Sequence, residues 1–104
     1  MLKINEIIEK AIAHNGEVFQ SMIAMEECSE LAQAISKCIR TPEEERARKH
    51  LVEEMADVSI CLRQLKTIYH VTDDELRIWT AIKLDRLEKR LNQTQQKGLS
   101  LIHI

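Results

Sequence analysis

The chain has few places to turn. Two glycines and one proline in 104 residues exclude a fold built on many tight turns and argue for long helices joined by short connections. Charge of one sign is also missing. A net charge of -2, with 31% charged residues and no acidic or basic block, creates no general basic field, so no nucleic-acid partner is expected. No apolar run approaches the ~20 residues that span a bilayer. The N-terminal MLKINEIIEK lacks the apolar centre of a signal peptide, so no membrane association and a cytoplasmic location are expected. Three cysteines, Cys28, Cys38 and Cys61, show no CxxC spacing and no His partner at metal-site spacing, and are expected as reduced core residues. Aromatics are limited to Phe19, Tyr69 and Trp79.

What is present favours helix: Glu, Lys, Leu, Ala, Ile, Gln and Arg dominate. The length suits a single domain over 1–104, small enough for a second copy to cover apolar surface usefully. Ile4, Ile7, Ile8, Ala11 and Ile12 repeat at helical spacing, with a stop at His14-Asn15-Gly16. A second helical pattern runs from about Glu17 to Ile39. Thr41, Pro42 and Glu44 read as an N-cap, a first-turn proline and a capping-box partner for a third helix reaching about His70. Thr72 and Glu75 repeat the device before a fourth helix with Leu76, Trp79, Ile82, Leu87 and Leu91, which the polar QTQQKG after Asn92 is expected to end. No internal repeat, linker or low-complexity segment interrupts this pattern. The apolar LSLIHI at the end is expected to pack on the subunit or a partner.

Two helices carry carboxylates where packing residues belong. The third helix has a seam through Ala47, Leu51, Glu54, Val58, Cys61, Leu65 and Ile68, and the second through Ala24, Glu27, Leu31, Ala34 and Cys38. One glutamate interrupts each stripe. Glu30 and Asp57 lie three residues further along, on the same side as their neighbours. In an antiparallel hairpin, residues equidistant from the turn stand level. Positions 27 and 57 are equidistant from 42, and so are 30 and 54. Glu27 should therefore face Asp57, and Glu30 should face Glu54.

Four anions in a partly dry site repel each other and lose hydration, so they call for a counter-cation. An all-oxygen ligand set suits Mg²⁺, with Mn²⁺ as a substitute, and Mg²⁺ readily takes phosphate oxygens as further ligands. The partner implied is a phosphorylated metabolite. A di-iron bundle would need Glu-x-x-His on two helices, and none of His14, His50, His70 or His103 has a glutamate three residues before it. Glu26, Glu53 and Glu43 to Glu45, apart from any motif, read as a solvated face.

With these residues in place, the chain resembles the MazG-type all-α nucleoside triphosphate pyrophosphohydrolases, which include all-α dUTPases and dCTP pyrophosphatases. The pattern EExxE followed by ExxD appears as Glu26, Glu27, Cys28, Ser29, Glu30, then Glu54, Met55, Ala56, Asp57. The flanking ELAQAISK and EEMADV extend the likeness, which covers residues 16–90. The resemblance implies an all-α four-helix bundle completed by oligomerisation, as a homodimer or homotetramer. It also implies that Glu27, Glu30, Glu54 and Asp57 hold Mg²⁺, with Glu26 in a supporting or water-orienting role. The implied reaction is hydrolysis of a (deoxy)nucleoside triphosphate between the α and β phosphates, giving a monophosphate and pyrophosphate. The resemblance further implies basic residues from the following helix: Lys83, Arg86 and Arg90 share one stripe there, suited to gripping phosphates, with Lys83 also a catalytic candidate. Many relatives have an asparagine two residues before the lysine, where this chain has Ala81. Gln20 precedes EExxE at a spacing that family members often show, so the resemblance makes it a candidate for bonding a base edge, and Trp79 or Phe19 could stack on a base, although core packing is favoured for Phe19. The competing expectation is a non-catalytic helical interaction module on the same bundle.

Overall fold

A computed structural model describes residues 3–97. Over them the chain forms four helices and no strand: α1 (Ile4–Asn15), α2 (Glu17–Arg40), α3 (Glu45–Ile68) and α4 (Asp73–Lys97). No helix among the described residues is long and apolar enough to cross a membrane. The chain divides into two compact units, with the boundary between His70 and Val71.

In the first unit α2 and α3 pack side by side and α1 rests against both. A single residue joins α1 to α2. Gly16 adopts φ 91° and donates its N–H to Ile12 O at 2.7 Å. A side chain at that φ would be strained even though a Cβ there would meet nothing within 4 Å, so backbone conformation is what requires glycine.

The α2–α3 seam follows the periodicity read from sequence. Ala47, Leu51, Glu54, Val58, Cys61, Leu65 and Ile68 are all buried or half-buried, as are Ala24, Glu27, Leu31, Ala34 and Cys38. Alanines at three of these positions, Ala24, Ala34 and Ala47, let the two backbones come close. The register is also as read: Gln20 and Gln64, equidistant from residue 42, are hydrogen-bonded side chain to side chain at 3.1 Å. Little bulk is buried along this seam, and no large side chain among the described residues is fully enclosed.

The turn differs from expectation. The capping box predicted at Thr41–Glu44 does not form; Thr41 instead closes the end of α2, donating both its N–H (2.9 Å) and its Oγ1 (2.7 Å) to Lys37 O. Thr41 O then accepts from the Glu44 N–H at 3.1 Å, and α3 starts at Glu45 with no side-chain cap. A threonine four residues after a free carbonyl can turn back as readily as forward, and the chain takes the backward bond. At Thr72–Glu75 the reciprocal box does form: Thr72 N–H donates to Glu75 Oε2 (2.8 Å), and Glu75 N–H donates to Thr72 Oγ1 (3.1 Å). These bonds hold the Glu75 carboxyl below its usual range.

α4 continues through Lys97 rather than ending after Asn92. Glutamines are good helix formers, and no glycine or proline intervenes before Gly98. The LSLIHI segment lies outside the described residues. Two further expectations need correction. Cys28 is exposed rather than in the core, whereas Cys38 is half-buried and Cys61 buried. Phe19 is 53% exposed, because it lies on the flank of α2 away from the α3 seam.

Candidate functional site

Glu27 and Glu54 enter the seam from facing helices, and Glu30 follows Glu27 by one turn of α2. Carboxylate oxygens of Glu27, Glu30 and Glu54 lie within 4.8 Å of one another. The burial is uneven: Glu54 is 7% exposed, Glu27 half-buried and Glu30 exposed. Two oxygens, Glu27 Oε2 and Glu54 Oε2, are buried and accept no hydrogen bond. Leaving a buried polar group unsatisfied costs about 1–3 kcal/mol, and more when it is charged. The nearest cationic candidate, His50 Nε2, stands 3.7 Å from Glu54 Oε1, too far for a hydrogen bond.

The electrostatics record the strain. The Glu27 carboxyl is pushed up from an ordinary 4.5 to about 7, first by burial and then by the charges of Glu30, Asp57 and Glu54. Burial, followed by the Glu27 charge, also raises the Cys61 thiol, which keeps it protonated and inert. A cation among these carboxylates would remove both problems, giving the orphaned oxygens a partner and balancing the charge. The donors are all oxygen, buried on one side and open on the other, so Glu27, Glu30 and Glu54 fit a hard divalent ion with coordination positions left for water or substrate.

Asp57 is exposed and its carboxylate is not among those within 4.8 Å of each other, although its charge acts on Glu27. Glu26 is exposed on α2 beside the cluster. Gln20 is buried, and its amide is engaged in the fold: it donates to Gln64 Oε1 and accepts from Asn15 Nδ2 at 2.6 Å. Lys83, Arg86 and Arg90 lie on α4, in the second unit, with Lys83 and Arg90 half-buried and Arg86 exposed.

One group of residues was missed from sequence. Glu30 and Glu54 line a pocket of about 650 Å³ whose other wall, toward the α2–α3 turn, carries Lys37, Arg40, Arg46 and His50. The signal was available: Glu30, Gln33 and Lys37 follow one stripe of α2, and Arg46, His50 and Asp57 follow the facing stripe of α3. Applying the midpoint rule to cations as well as carboxylates places both stripes at the same end of the site. Searches against family models, curated proteins and solved structures find no match to this chain.

Proposed function

We propose that the chain is a Mg²⁺-dependent nucleotide pyrophosphohydrolase, cleaving a (deoxy)nucleoside triphosphate between its α and β phosphates. The observation that carries this reading is the convergence of three carboxylates within 4.8 Å, with two buried oxygens lacking any partner. A packed helix pair tolerates such a cluster when a ligand completes it. The EExxE and ExxD patterns supply the reaction class, since the residues that converge are their members.

Glu27, Glu30 and Glu54 would hold the ion, with Asp57 joining from the next turn of α3. When bound, Mg²⁺ neutralises phosphate charge and lowers the pKa of a coordinated water. Glu26, exposed and adjacent to Glu27 in sequence, would accept a proton from the attacking water. The water oxygen bonds to the α phosphorus, the bond from that phosphorus to the bridging oxygen breaks, and pyrophosphate departs. Lys83, Arg86 and Arg90 remain the phosphate-binding candidates that the resemblance implies. A role in clearing unwanted nucleotides from the cytoplasmic pool fits this chemistry.

The assembly belongs to the same proposal. Val18, Met22, Met25 and Ile39 on α2, and Val52, Met55 and Leu62 on α3, stand exposed at steps of three, four, seven and fourteen residues, with Met25 at 72% and Ile39 at 75%. A second copy laid on this stripe would double the helix layer and remove that surface from water, worth about 25 cal/mol per Å² of apolar area. A dimeric or tetrameric mass by light scattering is expected, and a monomer at micromolar concentration refutes this part. The same stripe is what favours the second reading, a helical interaction module.

The deciding assay is a panel of ribo- and deoxyribonucleoside triphosphates with Mg²⁺, scoring pyrophosphate and orthophosphate separately. Pyrophosphate with monophosphate, lost in EDTA, is the expected result. Silence across the panel, with a partner helix bound instead, would favour the interaction module.

A further inference from the structure

Resting on the pyrophosphohydrolase reading, we propose that the pocket at the turn end of the α2–α3 hairpin receives the terminal phosphates of the substrate. Lys37, Arg40 and Arg46 are their contacts, and His50 stands at the junction with the carboxylates. The substrate then lies along α2 with its phosphate tail toward the turn and its base toward the start of the helix.

Three observations carry this. The first is continuity: one pocket is lined by the cations and by Glu30 and Glu54 together, so a ligand held at the carboxylates extends directly into the basic wall. The buried Glu54, with Oε2 unpartnered, anchors the inner end.

The second is availability. Lys37 and Arg46 form no ion pair among the described residues, and Arg40 donates only its Nε, to Ser36 O at 3.4 Å. Lys37, Arg40 and Arg46 line the pocket with Glu30, Glu44 and Glu54 yet pair with none of them, which leaves these cations to meet a ligand, and guanidinium groups match phosphate oxygens in bidentate geometry. The charges of the pocket also balance. Lys37, Arg40 and Arg46 offset Glu30, Glu44 and Glu54, so the pocket alone has no pull on a polyanion, but the addition of a divalent ion makes it net positive. Polyphosphate binding should therefore depend on the metal.

The third is length. Phe19, Ile23, Glu26, Glu30, Gln33 and Lys37 form one stripe of α2 at alternating steps of four and three. At about 1.5 Å per residue, Lys37 lies roughly 10 Å beyond Glu30 in one direction, and Phe19 roughly 16 Å in the other. The short side suits two phosphates, and the long side suits an α phosphate, a sugar and a base against the exposed Phe19 ring.

Calorimetry with inorganic tripolyphosphate and Mg²⁺ tests the site apart from turnover. The wild-type protein should bind the pair, and Arg40→Ala combined with Arg46→Ala should weaken it at least tenfold. Binding of Mg²⁺ alone and of nucleoside monophosphate should be unchanged, and circular dichroism should confirm intact helices. Phe19→Ala should reorder base preference without changing tripolyphosphate affinity. Wild-type affinity in the double variant overturns the proposal and moves the terminal phosphates elsewhere, with Lys83→Ala and Arg86→Ala as the next variants. If the protein binds tripolyphosphate through these arginines but hydrolyses nothing, the enzyme reading fails while the anion site stands. Nucleoside triphosphate should displace the tripolyphosphate; failure to do so would overturn the assignment to a substrate tail.

Discussion

The seam between α2 and α3 is interrupted by polar side chains at two levels, and the two are handled in opposite ways. Near the open end, Gln20 and Gln64 meet across the helices, and Asn15 extends the chain, so the amides are joined by donor–acceptor bonds of 2.6 and 3.1 Å. Two helical turns further along, Glu27, Glu30 and Glu54 meet with nothing but acceptors, and two of their oxygens are buried without a partner. Helices that can place a neutral, satisfied pair at one level had no packing reason to place three anions at the next. The first level stabilises the fold by its own bonds. The second leaves two buried oxygens without a partner, which the proposed cation would supply.

Substitutions at the two levels should separate these roles. The largest effect is expected from Glu54→Gln, which removes one charge and supplies a donor: pyrophosphate release should fall at least 100-fold, while the metal-free protein keeps or gains thermal stability as repulsion is relieved. A variant that retains turnover removes Glu54 from the site; one that loses both activity and fold makes it a structural residue like Gln64. At the neutral level, Gln64→Leu should cost about 1–3 kcal/mol in urea unfolding by stranding the buried Gln20 amide, with the response to Mg²⁺ preserved. Equal losses of stability at both levels would erase the distinction.

A smaller effect is expected from pH. Because Glu27 is raised to about 7 in the folded protein from 4.5, the native state binds more protons than the unfolded chain between those values. Stability of the metal-free protein from this group is therefore present in full below pH 4.5 and declines as pH rises toward 7. Glu27→Gln should flatten that decline, and Mg²⁺ affinity should rise over the same interval because the ion displaces the proton. A slope unchanged by Glu27→Gln would place the titrating group elsewhere.

Legibility in the sequence followed what each residue depends on. The carboxylate convergence could be read because helical spacing and a short turn fix the register of a hairpin, and the Gln20–Gln64 bond obeys the same midpoint as the glutamates. Thr41 was misread because T-x-x-E is a local pattern compatible with two outcomes. Thr41 is itself the C-cap of α2, and its hydroxyl bonds back to Lys37 O; Thr72 lies four residues past the last residue of α3, and there the box forms. Phe19 and Cys28 are exposed because they lie on the two flanks of α2, nine residues and about half a turn of the helix wheel apart, outside the stripe packed on α3. The basic wall is legible by the same level pairing, since Lys37 and Arg46 sit on the same two stripes as the carboxylates, but isolated cations on a charge-rich helix carry no motif that sets them apart from a solvated face.

Whether the carboxylate cluster binds a divalent cation is decided by thermal unfolding of the wild type and of Glu54→Gln, each with and without millimolar Mg²⁺. A ligand at a hundred times its dissociation constant adds about 2.7 kcal/mol to the folded state. A clear rise in the wild-type midpoint with Mg²⁺ is expected, with little or none in the variant. Identical wild-type midpoints with and without the ion, at pH 8 where Glu27 is ionised, would contradict cation binding there.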